Sequence, residues 1–241
     1  MCRAASWFFL FLLISCKTIF VPASVEYDGY SVNVAKVDSS LVSLMMPYHD
    51  SIHKVMNANL GTAVKTLHKK QPEGTLGNFM VDAMLHMARQ KFGVPVDVAV
   101  MNYGGIRLPE LQKGPVSRSR IFELMPFDNL LVIQKLNGKA LQQFFDLIAE
   151  HGGWPIAGAT MQIRDKKAVN VLIGGEPLQD LRMYTVANSN YIAEGGDDAY
   201  MLKNTPYVNI NYLIRDAIID YIRQKGNLID AQLENRIRNA Q

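Results

Sequence analysis

The hydrophobic positions along the chain predict helices that alternate with short strands. From Val37 to Ala58, apolar residues recur at steps of three and four, which is the period of one helix face. Asp38, Ser39 and Ser40 can cap the start of this helix. Further helices are predicted at Thr75 to about Phe92, from Asn137-Gly138 onward, and from about Ile210 to Gln224. The helix predicted from Thr75 to about Phe92 carries Met80, Met84 and Met87, a stripe that is typical of core filling.

Short apolar runs between the helices predict strands. The run from Val96 to Met101 is almost continuously apolar, as expected for a strand whose sheet is covered on both faces. Short turns such as Gly174–Pro177 join several runs, which favours a mixed sheet over a parallel one. We therefore predict a single α/β domain with a mixed β-sheet and flanking helices. The predicted strands are Leu60–Leu67, Val96–Met101, Leu130–Leu136, Thr160–Arg164, Val169–Ile173 and Tyr184–Ala187.

The N-terminal residues indicate export. Arg3 precedes an apolar run from Trp7 to Ile14. A run of about eight residues is too short for a spanning helix, which needs about 20, whereas a basic start followed by a short apolar stretch is typical of an export signal. The residues Leu13–Cys16 are similar to the lipobox of bacterial lipoproteins, in which the cysteine is lipidated. Ordinary signal cleavage after Ala23 is the alternative.

Composition narrows the class of protein. The chain has 241 residues, of which 49% are hydrophobic, so there is ample material for one core. Its net charge of +3 is too small to indicate binding to a nucleic acid polymer or a membrane surface. Both cysteines, Cys2 and Cys16, precede the predicted domain. A thiol nucleophile, a cysteine-ligated zinc and an internal disulfide are therefore not expected in it.

The segment Asn102–Arg107 follows a predicted buried strand and is the first candidate for chemistry. Adjacent glycines, Gly104 and Gly105, let the backbone turn sharply and bring its N–H groups close to a ligand. Arg107 offers a planar fork of donors suited to a phosphate or carboxylate, and Asn102 can both donate and accept. A tight turn with a surface arginine is the alternative interpretation.

The segment Asn188–Asp198 is the second candidate. It places Tyr191 six residues before Asp197, with Gly195 and Gly196 directly ahead of that acid. A carboxylate can accept from the two hydroxyls of a ribose, and a tyrosine ring offers a face on which a base can stack. A surface turn with a half-buried tyrosine is the alternative.

Together these segments resemble the C-terminal, substrate-binding domain of the 5'-nucleotidase family. The resemblance runs from about Val37 to the end of the chain, so we expect a signal peptide at residues 1–16, a tether at 17–36 and the domain at 37–241. Four matches occur in the order that the family has them: Glu73–Asn78 with Asp82-Ala83, Asn102–Arg107, Met125–Phe127 and Tyr191–Asp197.

The resemblance implies a role for each matched residue. Phe127 and Tyr191 would hold the base between them, and Asp197 would bind the ribose hydroxyls. Asn102 and Arg107 would meet the base edge and the phosphate side, next to Gly104 and Gly105. An arginine of the family upstream of the helix-opening segment corresponds to Lys70, which keeps the charge but loses the fork. Tyr103 stands where the family has a glycine.

The resemblance implies that full-length members of the family have two domains. A metallophosphatase domain that binds two divalent metals precedes the C-terminal domain in them. Its signatures, Asp-x-His and Gly-Asn-His-Asp/Glu, do not occur in this sequence. We expect no catalytic residue, metal or other cofactor in this chain, and divalent metals in a partner subunit. His49 and His53 lie four apart without an apparent third ligand, so we interpret them as partly exposed helix residues rather than metal ligands.

The sequence thus predicts the nucleotide-recognition half of a 5'-nucleotidase, inactive alone. It would bind a nucleoside monophosphate or nucleoside for hydrolysis by a separately encoded metallophosphatase subunit. A stand-alone nucleoside- or nucleotide-binding envelope lipoprotein is the alternative, and a degenerate structural domain is a third interpretation. The predicted location is the bacterial cell envelope, with membrane contact only through the lipid anchor, or else a soluble periplasmic or secreted state.

Overall fold

The computed structural model describes residue 29 and residues 38–240, and the predictions of a signal peptide, a lipidated Cys16 and a tether lie outside these residues. Several helix starts follow the rules of capping. Asn137, for example, accepts a hydrogen bond from the backbone N–H of Ala140 at 2.9 Å. The helices are α1 (Ser39–Met56), α2 (Thr75–Phe92), α3 (Arg118–Leu124), α4 (Gly138–Glu150), α5 (Asn190–Ala193) and α6 (Ile214–Gln224).

The strands are short and numerous. They are β1 (Asn59–Ala63), β2 (Leu67–His68), β3 (Val98–Val100), β4 (Glu110–Leu111), β5 (Gly114–Ser117), β6 (Leu130–Asn137), β7 (Ile156–Ala157), β8 (Ala159–Arg164), β9 (Lys167–Ile173), β10 (Glu176–Pro177), β11 (Met183–Ser189), β12 (Tyr207–Leu213), β13 (Leu228–Ile229) and β14 (Ile237–Asn239). The largest sheet has the order β12-β6-β11-β3-β7, and smaller sheets have the orders β10-β9-β8-β14, β13-β1-β5 and β2-β4.

The largest sheet is mixed, as predicted. Strand β11 pairs parallel with β3 and antiparallel with β6, and the outer strands β12 and β7 are also antiparallel to their neighbours. The α/β prediction with a mixed sheet is therefore confirmed. Parallel neighbours matter for function, because their carboxyl ends meet at the same edge of the sheet.

Helices cover both faces of this sheet. Ala99 of β3 packs into a cluster with α2 and α6, whereas Val98 and Val100 pack into a second cluster with α4. This alternation is the period of two that a strand imposes on its side chains. The methionine stripe on α2 is fully buried in the first cluster, so its prediction as core filling is confirmed: Met80, Met84 and Met87.

Helix α1 differs from the other long helices, because none of its residues is buried. Its predicted cap is present, since Asp38 Oδ1 accepts from the backbone N–H of Ser40 at 2.9 Å and of Leu41 at 3.3 Å. The compact unit that contains the sheets begins at Met46, within this helix. Among the described residues, no helix has the length and apolar character needed to span a bilayer.

Two predicted elements are wrong in part. The single strand predicted over Leu60–Leu67 is two strands in different sheets, because β1 pairs with β5 and β13 while β2 pairs with β4. The last helix begins at Ile214 rather than near Ile210, since β12 continues to Leu213 along the edge of the large sheet. Apolar residues at 210, 213 and 214 imitate helical spacing there.

Candidate functional site

A cavity of about 330 Å³ lies at the edge where the carboxyl ends of β3 and β11 meet. The segment after β3 and the segment after β11 therefore approach each other, although about 90 residues separate them in the chain. Strand β6 is antiparallel to β11, with Leu131 opposite Ser189, so the residues just before β6 reach the same edge. The lining residues are Asn102, Gly104, Gly105, Arg107, Phe127, Asn129, Tyr191 and Asp197.

This cavity brings together seven of the eight substrate-binding residues that the sequence predicted. Lys70 is the exception, because it is exposed and does not line the cavity. Lys69 takes the place beside Arg107 instead. Buried Leu67 and exposed His68 set an alternation in β2, and pairing continues from Lys69 N to the carbonyl of Pro109 at 2.8 Å. The period of two therefore turns Lys69 inward to the carbonyl of Ile106, next to Arg107 but outside the cavity lining, and Lys70 to solvent.

The segment after β3 forms a 3-10 turn at Tyr103–Gly105, closed by a bond from Gly105 N to the carbonyl of Asn102 at 3.0 Å. The glycine at 105 is required for a different reason from the one that the sequence suggested. Neither glycine of this turn has a positive φ. A Cβ on Gly105 would lie 2.8 Å from Asn102 Oδ1, so a side chain there would displace the Asn102 amide.

The acid–aromatic side of the cavity consists of Asn102, Tyr191 and Asp197, and its polar groups are joined to one another. Tyr191 donates its hydroxyl proton to Asp197 Oδ1 at 2.7 Å, and Asn102 Nδ2 donates to Asp197 Oδ2 at 2.7 Å. Each carboxylate oxygen thus has one partner and keeps capacity for another. The hydrogen bond to Asp197 is the main reason that the pKa of Tyr191 is raised above its ordinary value, with burial second.

Backbone conformation positions this acid. Gly195 has a φ of 96° and Asp197 a φ of 48°, both in the left-handed region. A Cβ on Gly196 would lie 2.5–2.6 Å from three carbon atoms of the Tyr191 ring. Gly196 therefore packs directly on one face of that ring. The tyrosine as a whole is 43% exposed and lines the cavity, so its ring remains available to a ligand.

The cationic side consists of Arg107, which lines the cavity, and Lys69, which lies next to Arg107 outside the lining. The guanidinium carbon of Arg107 lies 5.5 Å from the centre of the Phe127 ring, and its contact with the carbonyl of Gly104 is long, at 3.5 Å. Lys69 Nζ donates to the carbonyl of Ile106 at 2.8 Å and lies 4.0 Å from the centre of the Tyr103 ring. Burial lowers the pKa of Lys69, and the neighbouring charge of Arg107 lowers it further. Among the described residues neither cation is paired with a carboxylate, so the two charges are suited to binding an anion.

Sequence reasoning missed Asn129. It is half-buried, lines the cavity and precedes β6 by one residue. The signal that could have found it is its spacing, because it lies two positions after Phe127 at the start of a strand. Residues two apart on an extended segment face the same way. The amide can donate and accept, so it adds a second polar group that could read a base edge.

No cluster of three or more His, Cys, Asp or Glu side chains suited to a metal ion occurs among the described residues. In α1, the rings of His49 and His53 are stacked with their centres 5.4 Å apart, and the nearest polar partner of His53 is Asn57. The cavity, in contrast, is lined by aromatic rings, a carboxylate and a guanidinium, and these groups are suited to binding an aromatic, hydroxyl-bearing anion.

Comparisons with known proteins identify the family of this chain. The sequence profile of the family described as "5'-nucleotidase, C-terminal domain" matches residues 52–204. The chain is 28% identical over 222 residues to the 5'-nucleotidase of Vibrio vulnificus (strain CMCP6), covering 86% of this chain and 39% of that protein. It is 26% identical over 212 residues to Protein UshA of Escherichia coli (strain K12), covering 85% and 38%.

A solved structure shares the fold. The crystal structure of a 5'-nucleotidase precursor from Thermus thermophilus superposes with a TM-score of 0.72 at 25% identity, covering 84% of this chain and 43% of that one. The chain thus spans about two fifths of the length of the relatives that it matches. The profile match covers more than half of the chain and includes every residue that lines the cavity. The chain therefore belongs to the family of 5'-nucleotidase C-terminal domains.

Proposed function

We propose that this chain captures nucleoside 5'-monophosphates for hydrolysis by a separate metallophosphatase subunit. The observation that carries the proposal is the cavity itself, in which two aromatic rings, one carboxylate and one guanidinium line about 330 Å³, with the charge of Lys69 next to that guanidinium. These groups match the three chemical parts of a nucleotide. The absence of the family's metal-binding signatures from this sequence motivates the separate subunit.

The base would lie between Phe127 and Tyr191. Both rings line the cavity, and they are 39% and 43% exposed, so each keeps a surface that a flat ligand could cover. Stacking on aromatic side chains is worth about 1–3 kcal/mol per base and accepts any base. Asn102 and Asn129 supply the amides that could meet the base edge.

The ribose would bind Asp197, and the phosphate, attached to the ribose at the end away from the base, would extend to the cationic side. Asp197 keeps one lone pair on each oxygen after accepting from Tyr191 and Asn102, so it can accept from two ribose hydroxyls. The phosphate would bind to Arg107 and Lys69. A guanidinium fork matches the geometry of a phosphate, and the lysine adds a point charge.

In this proposal the chain binds and orients the substrate and does not carry out the hydrolysis. The partner's divalent metals would supply the nucleophilic hydroxide and stabilise the charge on the phosphate. The residues described above would hold the base, ribose and phosphate while that reaction occurs. A persistent interface with the partner is therefore part of the proposal.

Calorimetric titration of AMP into the purified chain tests substrate capture. We expect binding by the wild type and a loss of at least about tenfold in affinity for Phe127→Ala, since one stacking face disappears. Tyr48→Ala is a matched control, because Tyr48 is exposed and does not line the cavity. Absence of AMP binding by the wild type would contradict the proposal.

Isolation of the chain from its native envelope tests the partner. The proposal requires recovery of a metallophosphatase with the wild-type chain and hydrolysis of AMP by the mixture but not by the chain alone. Binding of AMP without such a partner would favour a stand-alone nucleotide-binding protein instead.

We also propose that the chain is held at the bacterial envelope by a lipid on Cys16. The support is the sequence of the first 16 residues, where a basic start and an apolar run precede Leu13–Cys16. Labelling with a radioactive fatty acid should mark the wild type and spare Cys16→Ser. Equal labelling of both, or labelling of neither, would contradict the anchor.

A further inference from the structure

The segment Met125–Asn129 carries two cavity residues, Phe127 and Asn129, yet it belongs to no helix or strand. It lies between the end of α3 and the start of β6. Loop segments of this kind do not hold an aromatic ring in place through a hydrogen-bonded ladder of their own. The position of Phe127 must therefore be set by contacts from elsewhere in the fold.

Arg215, the second residue of α6, supplies most of those contacts. Its side chain is 9% exposed, and one terminal nitrogen lies 3.3 Å from both the carbonyl of Met125 and the carbonyl of Phe127. The other terminal nitrogen donates to Asp128 Oδ1 at 2.7 Å. A single guanidinium thus contacts three residues of the segment.

The guanidinium is itself held in place by an aromatic ring. Its central carbon lies 4.0 Å from the centre of the Phe122 ring, a geometry typical of a cation–π contact. The planar fork can reach two carbonyls and a carboxylate at once, whereas a lysine ammonium on a flexible stem cannot hold all three in one plane.

Two backbone groups complete the attachment of this segment. Ile214 N donates to the carbonyl of Asn129 at 3.0 Å, at the start of α6. The N–H of Leu130 donates to Asn190 Oδ1 at 2.8 Å, and Asn190 immediately precedes Tyr191. The loop that carries one aromatic wall is therefore connected to the helix that carries the other.

We propose that Arg215 is a positioning residue that sets the gap between Phe127 and Tyr191, and through it the dependence of binding on the nucleobase. This inference rests on the proposed function, because it concerns the same cavity. Arg215 does not line the cavity. It acts through the carbonyls of Met125 and Phe127, which fix where the Phe127 ring stands.

The ion pair alone does not account for this arrangement. The Asp128 side chain is 81% exposed, and ion pairs with such exposed partners contribute little to stability. The two carbonyl contacts are instead buried or partly buried. Removal of the Asp128 charge should therefore leave the segment in place, whereas replacing the fork of Arg215 should release it.

The test compares Arg215→Lys with Asp128→Asn in the full chain, using two ligands. AMP carries a base, and ribose 5-phosphate does not. For Arg215→Lys we expect the ratio of AMP affinity to ribose 5-phosphate affinity to fall about tenfold, which is the worth of one weakened stacking contact, while ribose 5-phosphate binds as before. For Asp128→Asn we expect a change in this ratio of less than about threefold.

Hydrogen exchange of the free protein provides a readout that needs no ligand. Amide exchange at Leu130, whose N–H donates to Asn190 Oδ1, should rise at least about tenfold in Arg215→Lys, with exchange in α2 unchanged, because only the segment loses its attachment. Should this variant fail to fold, Phe122→Leu removes the ring beside the guanidinium. We expect a smaller rise in amide exchange at the same place, with exchange in α2 again unchanged.

Three outcomes would overturn the inference. They are unchanged exchange at Leu130, an equal rise in exchange throughout the protein, and an equal loss of affinity for both ligands. If the wild type binds neither ligand, the proposed function fails, and exchange at Leu130 alone decides whether Arg215 holds the segment. A selective rise in exchange together with a lower affinity ratio supports the proposal in full.

Discussion

The acid–aromatic side and the cationic side of the cavity differ in how many of their polar groups are already paired. On the acid–aromatic side, Asp197 accepts from both Tyr191 and Asn102 at 2.7 Å. On the cationic side, Lys69 donates to the carbonyl of Ile106 at 2.8 Å, but the only protein contact of the Arg107 guanidinium with an acceptor among the described residues is 3.5 Å long. A paired site is rigid before the ligand arrives, while an unpaired cation gains its partner only from the ligand.

In the proposed function, this difference would give the two sides separate tasks. A preorganised carboxylate loses little entropy on binding, so it can select a geometry such as a pair of ribose hydroxyls. Exposed cations attract an anion over a longer distance and tolerate several arrangements of its oxygens. Substitutions on the two sides should therefore affect adenosine and AMP differently.

The largest expected effect is that of Asp197→Ala. Two hydrogen bonds from ribose to a charged acceptor would be lost, each worth about 1.5–3 kcal/mol, and the partners of the acid would be left unpaired. We expect binding of both adenosine and AMP to weaken by at least about 100-fold, measured by calorimetry. Asp198→Ala is the matched control, since this neighbouring acid accepts from Tyr200 instead and does not line the cavity. Equal effects of the two substitutions would contradict the role of Asp197.

Arg107→Ala should separate the ligands. We expect AMP to bind about 30-fold more weakly, which corresponds to about 2 kcal/mol for a charge-assisted contact with phosphate, and adenosine to bind nearly as before. Arg223→Ala controls for the loss of a surface charge, because Arg223 pairs with Asp220 outside the cavity. A similar loss for adenosine and AMP would mean that Arg107 shapes the cavity rather than binding phosphate.

Lys69→Met and Lys70→Met are a matched pair of adjacent lysines. Lys69 lies beside Arg107, whereas Lys70 is exposed away from the cavity lining. We expect AMP affinity to fall about fivefold for Lys69→Met, as for a partly exposed ionic contact, and to stay within about twofold for Lys70→Met. The reverse order would restore Lys70 as the phosphate-side cation.

The smallest expected effect is a pH dependence of opposite sign on the two sides. The pKa of Lys69 is lowered, so the unfolded chain binds more protons between that value and 10.5, and the free energy of unfolding rises with pH there. The pKa of Tyr191 is raised, so its contribution is present below 10.0 and is lost as pH rises above it. The measurement is urea unfolding from about pH 8 to about pH 11. The rise in the free energy of unfolding should be absent in Lys69→Met, and the fall should be absent in Tyr191→Phe. The same curves for both variants and the wild type would contradict these assignments.

The sequence predicted the acid–aromatic side better than the cationic side. Gly195, Gly196 and Asp197 form a local pattern, because a left-handed turn before an acid leaves a clear mark in the residue types. The choice between Lys69 and Lys70 depends instead on which face of the two-residue strand β2 each side chain follows. The sequence predicted one strand over Leu60–Leu67 and did not separate β2 from it. A shift of one residue on an extended segment exchanges its two faces.

Helices and strands show the same contrast between features set by a local sequence pattern and features set by distant partners. Of the long helices, α2 was predicted with nearly its observed limits, and α4 with its observed start. The short strands β13 and β14 were missed, because two or three residues contain no complete period and take their form from parallel partners far away in the chain. Arg215 was missed as well, since its importance depends on carbonyls about 90 residues earlier in the sequence.

The hydrogen bond between Asn102 and Asp197 joins residues that are 95 positions apart, and this separation has a consequence for biogenesis. The ribosome must synthesise most of the domain before the cavity can close, so a nascent chain that ends before Asp197 cannot contain it. A nucleotide would then bind only the finished fold. At about 100 times its dissociation constant, such a ligand would stabilise that fold by about 2.7 kcal/mol, and its supply would influence how much of the protein survives proteolysis.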